Sequence, residues 1–381
     1  MIYLDNGATS LMKPQVVVDA VCQALTHFGN AGRGATEESL SSSRVIFEAR
    51  MRLNELINGE SMNQVAFDLN ITAALNMAIY GLIRPGDNVI TTVMEHNSVL
   101  RPLYDLQDRG VELSFAPLTS TAELDVEALK SLRQDNTKAV IMTHASNLTG
   151  QVNPVAEVGA WAKEEGLLFI VDAAQTAGAI PIDVQAMGID VLCFTGHKSL
   201  LGPQGTGGLY VRPGVEIPPF KSGGTGVDTY NHHQPAKMPT VLEAGTMNGH
   251  GLAGLNAALG YLLDYGIDRI EEEERDLSRQ LYQGLKAIPG LTIYGNHDVD
   301  QHCPTVTINI GDLDSSVVAD ILLEDYEIAI RSGGHCAPLM HQALGTQDQG
   351  AVRFSLGHFS TSEDVEAAIA AVTAIARDHL S

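Results

Sequence analysis

From position 62 to 213 the chain repeats one pattern, a short β-branched run followed by an amphipathic helical stretch. Strand candidates lie at 64–68, 88–93, 112–116, 138–144, 167–172, 191–195 and 208–211. Helical periodicity occupies several of the intervals, at 73–83, 98–109, 126–133 and 155–165. Continuous apolar strands alternating with helices predict an α/β fold with a mostly parallel seven-stranded sheet, because strands apolar on both sides need a covering layer on each face. Ligands of such sheets bind outside the carboxyl ends of the strands.

After position 245 the texture changes. Helices are expected at 251–265, 267–287, 315–325 and 362–378, and strands at 291–294, 306–310, 328–331 and 352–355. At 381 residues the chain exceeds a domain of roughly 150. We expect a large α/β domain over 15–250 and a smaller α+β domain formed by 1–14 with 251–381. The four glutamates at 271–274 read as the solvated face of a helix.

Composition narrows the function. Lys+Arg 23 against Asp+Glu 46 leaves −23, a charge that repels phosphates and disfavours nucleic acid or an anionic membrane as the main partner. No apolar run approaches the roughly 20 residues of a membrane span. The first ten residues have neither the basic nor the apolar region of a signal peptide. Cys22, Cys193, Cys303 and Cys336 are scattered, without a C-x-x-C pair or a disulfide-framework spacing. A reduced, cytoplasmic protein is expected.

Two strand ends carry the densest chemistry, Asp172-Ala173-Ala174-Gln175 and Thr195-Gly196-His197-Lys198. A carboxylate closing an apolar run is costly without a cation or strong donor. Either residue alone is plainly read as structural. Together they fit a lysine joined as a Schiff base to pyridoxal phosphate, with the carboxylate on the pyridinium nitrogen. Thr72-Ala73-Ala74 opens a helix after a strand, where free N–H groups face an anion; Thr195 and His197 add side-chain donors. Capping by Thr72 is compatible with the same placement. The glycine-rich run 202–208 lacks the Walker ending and leads into a strand, so it reads as a turn.

His96 follows another strand; its imidazole suits stacking on a planar cofactor and proton transfer, although a lone strand-end His is usually structural. Asn147 is a candidate for a cofactor oxygen or substrate carboxylate, with an Asx-turn as the plainer alternative. Cys22 and Cys193 read as core packing, and nothing flanking Cys303 favours reactivity. Cys336 instead lies in a flexible, exposed loop beside Arg331 and His335, two groups that favour the nucleophilic thiolate. Arg353 is a candidate clamp for a substrate carboxylate or else one half of a surface salt bridge.

These pieces together resemble the cysteine desulfurase and selenocysteine lyase family, within the class V aminotransferase group of pyridoxal-phosphate enzymes. The motifs are Tyr3-Leu4-Asp5-Asn6, Met94-Glu95-His96, Ser146-Asn147, Asp172-Ala173-Ala174-Gln175, Thr195-Gly196-His197-Lys198, Glu243-Ala244-Gly245-Thr246 and the loop 331–340. Gly-His-Cys-Ala and a short gap to Arg353 resemble the type II branch. The resemblance implies the fold-type I architecture of pyridoxal-phosphate-dependent transferases and a homodimer with shared active sites. It gives Lys198 the Schiff base, Asp172 the pyridine nitrogen, Gln175 the ring hydroxyl and His96 the ring face. Thr72, Thr195 and His197 would hold phosphate, Thr246 would reach it from a second subunit, and Asn147 and Arg353 would hold the substrate carboxylate. Two departures stand out: Thr36 replaces a His of many relatives, and the loop after Cys336 is a residue shorter.

The expected reaction converts L-cysteine to alanine. Lys198 removes the Cα proton, and Cys336 attacks the substrate sulfur and becomes a persulfide that passes sulfur to a protein acceptor. L-selenocysteine fits the same geometry with release of selenide. The rival readings are an aminotransferase or another amino-acid lyase in which Cys336 is incidental, and a non-enzymatic scaffold for sulfur delivery.

Overall fold

The computed structural model describes residues 1–29, 37–299 and 301–380. Thr36 lies outside the described residues. In chain order the strands are β1 (Ile2–Tyr3), β2 (Val65–Asp68), β3 (Asn88–Thr92), β4 (Glu112–Ala116), β5 (Thr137–Thr143), β6 (Leu168–Asp172), β7 (Val191–Thr195), β8 (Gly207–Val211), β9 (Leu291–Tyr294), β10 (Thr305–Ile310), β11 (Ile328–Ala329), β12 (Arg331–Gly333) and β13 (Ala351–Ser355). The helices are α1 (Gln15–His27), α2 (Glu37–Leu56), α3 (Ile71–Leu82), α4 (Asn97–Gln107), α5 (Val126–Ser131), α6 (Val155–Glu164), α7 (Gly249–Tyr265), α8 (Ile267–Lys286), α9 (Ser315–Tyr326), α10 (Pro338–Leu344) and α11 (Ser362–Leu380).

The seven strands read from the sequence form one sheet, in the order β2-β8-β7-β6-β5-β3-β4. Its pairs from β4 through to β7 are parallel, while β8 runs antiparallel to both β7 and β2. Alternate side chains of a strand enter opposite layers. Phe169, Val171, Leu192 and Phe194 belong to one apolar core, and Ile170, Val191 and Cys193 to the other. Each fully buried aliphatic or aromatic side chain contributes roughly 1.5–3 kcal/mol, which fixes the register of the strands.

A third core, containing Leu4, Leu281, Val306, Phe354 and Val372, covers the four-stranded antiparallel sheet β12-β13-β10-β9. β1 pairs in parallel with β11, which holds the N-terminal segment against the C-terminal elements. The expected strand at 328–331 is split between β11 and β12, which belong to different sheets. Two readings are corrected. Glu274 is buried, 4% exposed, because the 3.6-residue period of α8 places it on the inward face with Ile270, Ser278 and Leu281. Cys22 is exposed, since α1 turns Val17 and Ala24 inward instead.

Candidate active site

β5, β6 and β7 are parallel neighbours, so the residues that close them, Thr143, Asp172 and Thr195, emerge at one edge of the sheet. The turn after β7 brings His197 and Lys198 to this edge, and the start of α4 brings His96. These residues line one cleft with Thr72, Asn147, Gln175, Arg331 and Arg353.

The N-terminus of α3 forms one wall. Asn70 caps the helix by accepting the Ala73 N–H at 3.0 Å, so the helix begins two residues before the expected start. Asn70, Ile71 and Thr72 line the cleft; Ala73 does not, and its amide is committed to the cap. Thr72 Oγ1 and Ser98 Oγ share a hydrogen at 2.8 Å. The preference of Asn for a cap position directly before an apolar run is a signal by which the sequence could have located Asn70.

His96 caps α4, its Nδ1 accepting the Ser98 N–H at 3.0 Å. The proton of the neutral ring is thereby assigned to Nε2. Burial, then the charges of Lys198 and Arg331, push His96 down to about 4, so the imidazole is neutral near pH 7. Gln175 Nε2 donates to the Gly7 carbonyl at 3.2 Å, and His197 Nδ1 meets Thr9 Oγ1 at 3.0 Å.

Asp172 is buried and accepts the Ala174 N–H at 2.8 Å. Desolvation raises its pKa, while the Ala174 bond and the charge of Lys198 work the other way. Burial, with Arg353 adding to it and Asp172 opposing it, pushes Lys198 down to about 8. Glu95, also buried, accepts from Thr92 Oγ1 at 2.6 Å and from the Thr143 N–H at 3.0 Å. Burial pushes its carboxyl up to about 8, so it adds no second anion beside Asp172 at neutral pH.

Arg353 is 1% exposed, which removes the surface-salt-bridge reading. Its Nη2 donates to Asp5 Oδ1 at 2.6 Å and its Nη1 to the Asn147 carbonyl at 2.9 Å, leaving Nε buried without a partner. Asn147 Oδ1 and Thr195 Oγ1 are likewise buried and unpartnered. Such atoms cost free energy unless a ligand satisfies them. The donors, the buried carboxylate and the desolvated amine suit an anionic, planar, carbonyl-bearing cofactor.

Cys336 borders this cleft in an adjoining groove, with Arg331 common to both. The expected flexible loop is instead tied down. The Asn97 N–H donates to the Cys336 carbonyl at 2.8 Å, and Asn147 Nδ2 to the His335 carbonyl at 2.7 Å. His335 and Cys336 are consecutive left-handed residues, φ 49° and 56°, a conformation that costs non-glycine residues on the order of 1–3 kcal/mol each and persists where contacts enforce it. His335 is not the expected cation. Burial and the nearby Arg353 push it down to about 3, whereas the Arg331 guanidinium comes within 4.0 Å of Cys336 Sγ.

The Aminotransferase class-V family profile matches residues 2–368. The chain belongs to the class-V aminotransferase family. Among its relatives, a probable cysteine desulfurase of Methanothermobacter thermautotrophicus is 35% identical over 96% of this chain and 92% of its own length. Two solved structures of this fold are also similar. The apo cysteine desulfurase of Thermococcus onnurineus NA1 superposes with TM-score 0.92 at 33% identity, covering 99% of this chain and 95% of that one. The Escherichia coli cysteine desulfurase CsdA (S-sulfonic acid) gives 0.89 at 30% identity, covering 99% and 94%. The fold-type I expectation is met by this class-V chain. Thr246 stands apart from the cleft residues; it is exposed and lines two other depressions, beside Glu243 and Met247. Asp5, part of a resemblance motif, received no role from the sequence because its partner Arg353 is 348 positions away.

Proposed function

We propose that the protein is a pyridoxal-phosphate-dependent cysteine desulfurase that converts L-cysteine to L-alanine and leaves the sulfur on Cys336 as a persulfide. The observation that carries this reading is the tethering of the cysteine loop. Asn147, a lining residue of the cleft, and Asn97, next to His96, hold the backbone of His335 and Cys336.

Lys198 is the residue for the cofactor aldehyde, Asp172 for its ring nitrogen, Gln175 for its ring hydroxyl and His96 for its ring face. Thr72, Thr195 and His197 are the phosphate ligands, with the N-terminus of α3. When bound, pyridoxal phosphate supplies an aldehyde for the substrate amine and a ring that accepts electrons left at Cα. Arg353 orients the substrate carboxylate, supported by its unpartnered Nε donor. Asn147, whose Nδ2 already donates to the His335 carbonyl, offers the same cleft an unpartnered Oδ1 acceptor. Lys198, desolvated to near neutral pKa, takes the Cα proton as its free amine. The Cys336 thiolate, faced by Arg331, attacks the substrate sulfur. The S–S bond forms, the C–S bond breaks with its electron pair passing to the carbon, and protonation completes alanine. A reductant or a protein acceptor then removes the sulfur.

A homodimer in which Thr246 serves the neighbouring cleft is part of the same reading, supported by its exposure outside its own cleft. Four unpaired cysteines support a reducing, cytoplasmic setting, and no described helix is long and apolar enough to cross a membrane. The test is Cys336→Ala in the holoenzyme supplied with L-cysteine or L-selenocysteine, with and without reductant. Alanine formation from cysteine should fall by at least about a hundredfold, the scale of a lost nucleophile. Undiminished alanine and sulfide would contradict the persulfide.

A further inference from the structure

The loop that bears Cys336 is closed on itself by a second contact set that the reaction above does not use. His335 and His341 are buried, 2% and 3% exposed, with rings nearly parallel at 9° and centroids 5.7 Å apart. His335 Nε2 meets the Arg331 carbonyl at 3.2 Å, His335 Nδ1 meets His341 Nε2 at 3.4 Å, and His341 Nδ1 meets Thr346 Oγ1 at 2.7 Å.

With neutral rings, one assignment of hydrogens satisfies all three contacts. The carbonyl of Arg331 can only accept, so His335 carries its proton on Nε2 and offers Nδ1 as an acceptor. His341 must then donate from Nε2, which leaves its own Nδ1 to accept the Thr346 hydroxyl hydrogen. The chain of donors therefore runs in one direction, from Thr346 through His341 and His335 to Arg331. Burial lowers both imidazoles, and Arg353 adds to the effect on His335, so the neutral forms this chain requires are the stable ones.

The ends of the chain span the segment 331–346 that holds Cys336 at its middle. Arg331, at one end, carries the guanidinium that lies 4.0 Å from Cys336 Sγ. His335, in the middle, is covalently next to Cys336 and shares its left-handed backbone. Asn97 and Asn147 fix the two carbonyls of that strained pair from the cleft side. The imidazole relay adds a third tie through the His335 side chain, and a strained conformation needs such constraint from its surroundings.

We propose that His341 is a positioning residue for sulfur transfer: by donating to His335 it holds the Cys336 thiol and the Arg331 guanidinium in register. The inference rests on the reading of Cys336 as the nucleophile, and His341 itself touches neither substrate nor cofactor. Its working part is the Nε2 donor and not the bulk of the ring.

Two substitutions separate donor from bulk. His341→Gln keeps a donor at the Nε2 position without an aromatic ring, whereas His341→Phe keeps a stacking ring without a donor. In the pyridoxal-phosphate-loaded protein, the rate of Cys336 alkylation by iodoacetamide is read by peptide mass spectrometry, with exposed Cys22 as internal reference. His341→Phe should slow Cys336 alkylation and kcat by roughly tenfold, the scale of one hydrogen bond, with Cys22 and KM unchanged. His341→Gln should restore most of both. Should His341→Phe not fold, His341→Met takes its place as the variant without a donor, with the same loss expected. Loss in His341→Gln with retention in His341→Phe, or no change in either, overturns the inference. The alkylation readout does not depend on desulfurase turnover. Failure of the persulfide reading would appear separately, as activity surviving in Cys336→Ala.

Discussion

Asp172 sits where a charge is most expensive, buried at the end of an apolar strand, and it accepts a hydrogen bond from a backbone amide beside it. That cost makes sense for a carboxylate whose partner is a ring nitrogen. Asp172→Asn keeps the shape and the hydrogen bond but removes the negative charge, so the protein should still bind pyridoxal phosphate and turn over about 10²–10³ times more slowly. Normal kcat in Asp172→Asn, measured as alanine released, would remove Asp172 from the chemistry. The same cost made this residue legible in the sequence, since a charged side chain closing an apolar strand is a local anomaly, and Lys198 stood out beside it as a charge just past the next strand end. Asp5 offered no such signal. It sits in an ordinary N-terminal turn, and its significance comes from a guanidinium contributed by β13. His335 misled for a related reason, because sequence neighbours of a cysteine reveal nothing of which way each side chain turns.

The elements follow the same logic. Strands of four or more residues with β-branched apolar runs carry their own pattern, and all seven strands of the large sheet lie where that pattern puts them. β1, two residues long, is defined by its partner and has no periodicity to read, and β11 and β12 read as one strand at 328–331 because the break between them depends on their different partners. α8 was legible as a helix, but four glutamates in a row hid the inward position of Glu274. Burial pushes that carboxyl up to about 8. The unfolded chain releases this proton near pH 4.5 and the folded chain holds it to about 8, so the stability contributed by the neutral acid is complete below pH 4.5 and is lost as pH rises toward 8. Glu274→Gln should therefore gain relative to the parent on the order of 1 kcal/mol per pH unit across that window. Urea unfolding at several pH values measures this; a difference independent of pH would place the Glu274 ionisation elsewhere.

Over the whole molecule, the two sheets meet at the cleft. The large sheet brings Asp172 and Lys198, while β12, β13 and the loop between them bring Arg331, Cys336 and Arg353. The N-terminal segment ties the parts together, since Leu4 belongs to the core of the smaller sheet and Asp5 grips Arg353. The proposed homodimer adds a second copy through Thr246, which in one chain is not among the residues that line the cleft. Thr246→Ala should then lower affinity for pyridoxal phosphate, and sedimentation should give two chains per particle; a monomer that retains the cofactor fully would exclude a shared site. Relatives of nearly equal length and TM-scores near 0.9 show that the likeness of fold extends over nearly the whole chain.

The most direct measurement mixes the pyridoxal-phosphate-loaded protein with L-cysteine in the absence of reductant, quenches with an alkylating reagent and weighs the peptides. One added sulfur atom on the peptide bearing Cys336, formed in step with alanine and missing from Lys198→Ala, is the predicted result. Alanine produced while that peptide stays unmodified would contradict the account.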